Sequence, residues 1–209
     1  MITISFTMSS QVLYNPQYNL EYYHITKNGM TSIIPSLGMS WFPIDTIPED
    51  RKVLAIIRDP ITRFLSGYLE VTKYYKAGLL DGHVVRKPKL KIFGGTNQDT
   101  FLRYLEEIEK RGWFDGHNAP QHTFMSNELP KKGSITHRNV DKVTDFVLFE
   151  NMNKGLNELI GKGVHLLRNN VGNANSKLAL KSVCEANSDR IINIYREDYN
   201  LHQSLMNRG

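Results

Sequence analysis

The run Val53-Leu54-Ala55-Ile56-Ile57-Arg58-Asp59-Pro60-Ile61-Thr62-Arg63-Phe64-Leu65-Ser66-Gly67-Tyr68 passes from an apolar strand into a helix and leaves charged and hydroxyl groups at the junction. Its first five residues are short, continuous and apolar, as expected of a strand covered on both faces in a parallel sheet. Asp59 has the character of an N-cap, and Pro60 suits the first helical position, where its missing N–H costs nothing. On a helical wheel Ile61, Phe64, Leu65, Tyr68 and Thr72 share one side, while Arg63, Ser66 and Glu70 gather on the other, which predicts one packing face and one free face. Arg58 falls at the C-terminal end of the strand, where ligands of open α/β sheets collect, beside a helix start with unpaired N–H groups. Guanidinium, hydroxyl and helix start together suit a phosphate dianion. The same residues taken alone also permit a plainer arrangement, with Arg58 paired to a carboxylate and Arg63 and Ser66 on a solvated face.

A second strand, turn and helix start stands upstream. Tyr22-Tyr23-His24-Ile25-Thr26 has strand composition and is followed by Lys27-Asn28-Gly29-Met30-Thr31-Ser32-Ile33-Ile34. Gly29 permits a tight turn and close backbone approach, Lys27 supplies a mobile point charge, and Thr31 and Ser32 place hydroxyls beside exposed helix N–H groups. A Walker A loop requires a different order of glycine and lysine, and this segment lacks it. By itself the segment reads more readily as a simple turn.

Together the two segments resemble the paired cofactor loops of the sulfotransferases, above all the carbohydrate sulfotransferase group known as family 2. The resemblance implies a P-loop-like fold. It also implies that Lys27, Asn28, Gly29, Met30, Thr31 and Ser32 hold the 5′-phosphosulfate of 3′-phosphoadenosine 5′-phosphosulfate (PAPS). Arg58 and Ser66, eight residues apart as in the family pattern, would bind the 3′-phosphate, and Arg63 matches the family's second arginine. Asp115-Gly116-His117-Asn118-Ala119-Pro120-Gln121 is similar to the family's D-x-H-x-x-P-Q segment. Asp145-Phe146-Val147-Leu148-Phe149-Glu150-Asn151-Met152 resembles its later strand followed by Glu-Asn-Leu, and Ile194 to Leu201 its closing helix.

The implied reaction is transfer of a sulfuryl group from PAPS to a hydroxyl acceptor, by family resemblance on a carbohydrate, with no metal required. Positioning and electrostatics would carry most of the catalysis, as in phosphoryl transfer. Lys27 would meet the bridging oxygen as charge grows there. His117 is the first choice for the base because a neutral imidazole titrates near working pH. Glu70, on the helix side shared with Arg63 and Ser66, is the second. His24 and His122 read as structural hydrogen-bonding groups. The paired His-x-His that some family members carry before the arginine strand is missing between Trp41 and Lys52.

Composition narrows the alternatives. A chain of 209 residues can bury a full core and is expected to form one domain, 1–209, without linker or repeat. With 40% apolar and 22% charged residues it has ordinary globular composition. One cysteine, Cys184, excludes an internal disulfide and offers no zinc cluster. No run is long enough to span a bilayer and the start lacks a secretory pattern, so the expectation is a soluble cytoplasmic protein, closer to a bacterial or viral relative than to a Golgi enzyme. The net charge of +5 favours anionic ligands without choosing among them.

Arg86-Lys87-Pro88-Lys89-Leu90-Lys91 reads as an exposed basic loop, and no nucleic-acid partner is expected from it. A helix is predicted around Phe101–Ile108 and another from the spacing of Leu156, Leu159 and Ile160. A short strand is predicted at His165-Leu166-Leu167, followed by a loop over Arg168–Lys177, with Lys177 a weak ligand candidate. Alternating strands and helices point to a three-layer α/β fold with a mainly parallel sheet flanked by helices. Two rival functions stand beside sulfuryl transfer: a nucleotide or small-molecule kinase, and a non-catalytic basic module for glycans or nucleic acid.

Overall fold

The structure, a computed structural model, describes residues 11–76, 97–113, 115–125, 143–161, 163–167 and 174–208. The chain begins with two antiparallel strands, β1 (Gln11–Asn15) and β2 (Leu20–Tyr23), then a short helix α1 (Met30–Ser36) and strand β3 (Ser40–Pro43). Strand β4 (Lys52–Ile57) leads into the long helix α2 (Pro60–Lys76), followed by α3 (Gln98–Arg111) and α4 (Gln121–Met125). Strand β5 (Asp145–Leu148) precedes α5 (Met152–Ile160), and the chain closes with α6 (Ala174–Ala186), α7 (Ser188–Ile194) and α8 (Arg196–Met206).

The five strands form one sheet in the order β3-β1-β2-β4-β5. β4 lies parallel to both neighbours, with Tyr22 opposite Leu54 and Ile56 opposite Val147. Its continuous apolar run has the predicted cause. Leu54 and Ile56 pack with Ile33 of α1 and Leu37 at its C-cap, and with Met152 and Leu156 of α5. Val53, Ala55 and Ile57 pack on the other side, with Phe124 of α4 and Leu201 and Leu205 of α8. Helices therefore cover both faces, and the strand has no polar face to show.

The expectation of a mainly parallel sheet needs correction. β1 pairs antiparallel with both β2 and β3, so two of the four pairings are antiparallel and the sheet is mixed. A tight turn joins β1 to β2 and forces that orientation, since a parallel pair would need a long crossover. Strand β2 also ends at Tyr23 rather than Thr26, which releases residues 24–29 as a loop.

A third cluster lies among helices. Phe64, Leu65 and Tyr68 of α2 meet Phe101 and Tyr104 of α3, Leu180 and Cys184 of α6, and Ile191 of α7. Ring pairs such as Phe64–Phe101, 5.6 Å apart and edge-on, add directional packing to the burial. The apolar side of α2 predicted from the wheel is thus its core side. The predicted helices over Phe101–Ile108 and Leu156–Ile160 are α3 and α5. Asn97 caps α3 by accepting from the Thr100 N–H, and Gly112 ends it at φ +75°.

Two local predictions fail. Residues 165–167 take no regular secondary structure and do not join the sheet. Residues 174–177, read as part of an asparagine-rich loop, form the first turn of α6, where the following Leu-Ala-Leu-Lys run carries helix propensity past the polar residues. The remainder of that loop, the Lys177 side chain and the basic segment 86–91 lie outside the described residues. Among the described residues no helix is long and apolar enough to cross a membrane.

Candidate functional site

The loop after β2 turns twice into left-handed backbone, at Lys27 (φ +70°) and Gly29 (φ +94°). Glycine adopts that region freely, whereas for lysine it costs about 1 kcal/mol or more and persists only where surroundings enforce it. Enforcement comes from beneath. Asn28 is fully buried and its side-chain amide donates to Ile56 O and to Gln121 Oε1, both at 2.6 Å. The Asn28 carbonyl accepts from the Tyr22 hydroxyl at 3.3 Å. Thus Asn28 anchors the loop, and Met30 packs into the apolar cluster under α1. Thr31 is exposed and Ser32 half-buried at the start of α1.

Asp59 caps α2 as predicted: its Oδ1 accepts from the Thr62 N–H at 2.8 Å. Arg58, only 7% exposed, lies over the Phe149 ring at 4.4 Å. Its Nη1 donates to the Lys27 carbonyl at 3.0 Å and its Nε to Thr62 Oγ1 at 3.3 Å. These partners join the two loops and are uncharged. Burial pulls the Arg58 guanidinium down to about 10; Glu150 offsets part of that through space and Arg63 adds to it. It remains a cation at neutral pH, and a buried cation held by neutral groups gains most from an arriving anion.

The side of α2 opposite its core is not free. Arg63 is 2% exposed, donating from Nε to Thr26 O at 3.1 Å and from Nη1 to Ala119 O at 2.6 Å. Arg63 is therefore not on a solvated face: it clamps the Lys27 loop to segment 115–120, because both segments fold over that side of the helix, and its buried Nη2 makes no hydrogen bond among the described residues. Gly67, one turn on, is where the backbone of His117 comes down. A Cβ at Gly67 would lie 2.3 Å from the His117 carbonyl oxygen. Ser66, beside this line, is half-buried.

Continuing along the same stripe, Glu70 Oε2 lies 3.4 Å from Lys27 Nζ and Oε1 3.9 Å from Lys73 Nζ. Tyr74 follows, hydrogen-bonded to Glu70, with its ring 5.2 Å from the His117 ring. His117 Nδ1 meets Asp115 Oδ1 at 2.5 Å, and the same oxygen accepts the His117 N–H at 2.7 Å. Asp115 is fully buried. Arg63, Gly67, Glu70 and Tyr74 occupy successive turns of one helix face, and on that face the structure assembles all three predicted catalytic residues.

The charges there are coupled. Burial pushes the Glu70 carboxyl up, yet Lys27, Lys73 and His117 bring it below its usual value, so it is ionised at neutral pH. Lys27 is also shifted down, because burial outweighs the support of Glu70 and Arg58 and Lys73 repel it. The two shifts point to opposite net effects for one pair. Lys27 has the greater desolvation, being the more enclosed charge, so the pair is a poised cation more than a stabilising bridge.

Sequence reading gave no role to three polar residues that hold these loops. Gln121 brackets Arg58, accepting its N–H at 2.9 Å and donating to its carbonyl at 2.8 Å. Asp198, fully buried on α8, accepts the N–H groups of Gln121 and His122 at 2.6 and 2.9 Å. Glu150 accepts the Asp59 N–H at 3.1 Å and meets His202 Nε2 at 3.2 Å. Gln121 and Glu150 sit inside recognisable motifs, but their partners are far away in the chain and no spacing rule connects them. His122 bridges Asp198 at 3.0 Å and Glu197 at 3.5 Å, the structural use foreseen for it, and His24 stands 6.3 Å from the Tyr22 ring.

Residues 40–203 match the family model described as Sulfotransferase family, its family 2. That match covers well over half of the chain, which therefore belongs to the sulfotransferase family. No curated protein and no solved structure matches it.

Proposed function

We propose that this sulfotransferase-family chain transfers the sulfuryl group of PAPS to a hydroxyl, on a carbohydrate acceptor, by in-line displacement. One observation carries the reading: Lys27–Glu70 and His117–Asp115 meet on a single face of α2, beside a buried Arg58 bound to the Lys27 loop. The two strand-to-helix turns at Lys27 and Arg58 are the corners from which a P-loop-like fold would grip a nucleotide.

In the proposed reaction the acceptor oxygen attacks sulfur, and the bond from sulfur to the bridging phosphate oxygen breaks. The sulfuryl group leaves as the sulfate ester of the acceptor and the nucleotide as adenosine 3′,5′-bisphosphate. Lys27 stabilises charge on the departing oxygen, an interaction strengthened as that charge grows. Thr31 and Ser32 bind the 5′-phosphosulfate and Arg58, with Ser66, the 3′-phosphate. Neutral Nδ1–H of His117 directed at Asp115 fixes the tautomer in which Nε2 is basic, so Nε2 takes the acceptor's proton. Glu70, ionised and drawn to Lys27, acts as counter-ion and holds the lysine in place before the donor arrives.

The test is transfer of label from radioactive PAPS to a panel of glycans and hydroxyl-bearing extracts, with and without a metal chelator. Chelator-resistant label on a glycan fraction is the expected result. Magnesium-dependent consumption of ATP with no transfer from PAPS would move the chain to kinase chemistry and overturn the proposal.

A further inference from the structure

Gln121 is the side chain through which the two loops of the site are held in register, and we propose it as a positioning residue for Arg58 and the Lys27 loop. The observation is one primary amide making three hydrogen bonds to the two loops. Oε1 accepts both the Arg58 N–H at 2.9 Å and Asn28 Nδ2 at 2.6 Å, while Nε2 donates to the Arg58 carbonyl at 2.8 Å. In form this is a strand partner reduced to one side chain: it continues the ladder beyond Ile57, the last residue of β4, by satisfying both main-chain groups of the next residue. Through Asn28 the same amide holds the loop whose Lys27 lies in left-handed backbone.

Gln121 is itself immobilised. It is fully buried, and the Asp198 carboxylate of α8 accepts its main-chain N–H at 2.6 Å. One turn along α8, His202 reaches Glu150, which accepts the Asp59 N–H. The C-terminal helix thus buttresses the Arg58 turn from two sides, through Gln121 and through Glu150. Loss of the amide would leave buried main-chain groups without partners at the point where Arg58 is aimed. The consequence for nucleotide binding rests on the sulfotransferase reading above; the clamp itself does not.

Gln121→Glu separates positioning from mere filling of space, because its two protonation states differ in one hydrogen bond. The neutral acid keeps the pattern, with one oxygen accepting from Arg58 N and Asn28 Nδ2 and the hydroxyl donating to Arg58 O. The ionised form has no donor and sets a negative oxygen against that carbonyl. The clamp should therefore be intact at low pH and lost as pH rises through the new carboxyl's pKa.

Charged and titratable groups linked to the position are Arg58 and Asp198, bonded to Gln121 itself; His122 and Arg63, which act on Asp198; and Glu150 with His202, which hold the neighbouring Asp59 N–H. All are common to the wild type, so the comparison at each pH removes their own titration.

The experiment measures amide exchange over residues 56–60 and affinity for adenosine 3′,5′-bisphosphate, for wild type, Gln121→Glu and Gln121→Ala, across pH 5 to about 8. Gln121→Ala should speed exchange there about tenfold or more at every pH. Gln121→Glu should match wild type at the acid end and Gln121→Ala at the alkaline end, with nucleotide affinity following the same curve. Wild-type exchange in Gln121→Ala, or in Gln121→Glu once its carboxyl is ionised, would overturn the clamp. An exchange change with no nucleotide binding even by wild type would uphold the clamp and reject the donor reading instead. Should Gln121→Ala not fold, the pH series of Gln121→Glu decides alone.

Discussion

Replacing Gly67 by alanine should injure this protein where the same change ordinarily helps a helix. Alanine in place of glycine within a helix is worth about 1 kcal/mol in its favour. At Gly67 the added methyl carbon would lie 2.3 Å from the His117 carbonyl oxygen and 3.2 Å from its carbon. Both are backbone atoms, so no rotamer change relieves the clash, and segment 115–118 must move away from α2 by about an ångström to reach ordinary contact. Overpacking of this kind costs about 1–3 kcal/mol. Set against the helix gain, a net loss of up to about 2 kcal/mol is expected, which lowers Tm by up to about 8 °C at this chain length.

Activity should fall further than stability. An ångström of displacement at a catalytic group costs on the order of 10²-fold in rate, and Gly67 is the seat of the segment carrying His117. Thermal unfolding and labelled-PAPS transfer, measured on the same preparation, provide the assay. A Gly67→Ala protein that melts at or above the wild-type temperature and transfers sulfate at the wild-type rate would refute the packing of His117 on α2.

Other substitutions test separate parts of the site. Lys27→Ala should keep nucleotide affinity while losing about 10²- to 10³-fold in turnover. Lys27→Gly should lose the same turnover yet unfold about 1 kcal/mol later than Lys27→Ala, since only glycine relieves the left-handed backbone; equal denaturation midpoints would contradict the strain. Arg58→Ala should lose affinity for adenosine 3′,5′-bisphosphate in calorimetry, and unchanged affinity would remove Arg58 from the nucleotide site. Glu70→Gln removes the contribution that raises Lys27 against burial, so the alkaline limb of the pH–rate profile should move to lower pH. The pair's own stabilisation, from a Glu70 carboxyl held below its usual value, is present above the unfolded carboxyl's pKa and lost as pH falls through the folded one; Glu70→Gln should flatten that acid part of the stability curve. His117→Ala should abolish transfer with little change in nucleotide affinity, and full activity would return the base to Glu70.

Local chemistry explains why some of this was readable in the chain. The β4–α2 junction is encoded by neighbours: a doubly covered apolar run, then Asp59 and Pro60, whose capping role needs no distant partner. Gly29 likewise announces its turn. β1 and β3 could not be seen so directly, since Gln11–Asn15 and Ser40–Pro43 are short and half exposed and owe their pairing to each other.

The free face assigned to Arg63 failed because a helical wheel separates sides without saying what folds over each. Here Thr26 O and Ala119 O, 37 and 56 positions away, accept from Nε and Nη1. Gln121, Asp198 and Glu150 were hidden for the same reason. Their function lies in main-chain groups of other segments, and such partners leave no residue-type signature in a single sequence.

The central claim is that the Lys27 and Arg58 turns hold opposite ends of one nucleotide. A crystal structure with adenosine 3′,5′-bisphosphate bound measures it most directly. The account predicts the 5′-phosphate against the start of α1 at Lys27, Thr31 and Ser32, and the 3′-phosphate on Arg58 and Ser66. A nucleotide seated away from both turns, with Arg58 still bound only to Lys27 O and Thr62, would contradict it.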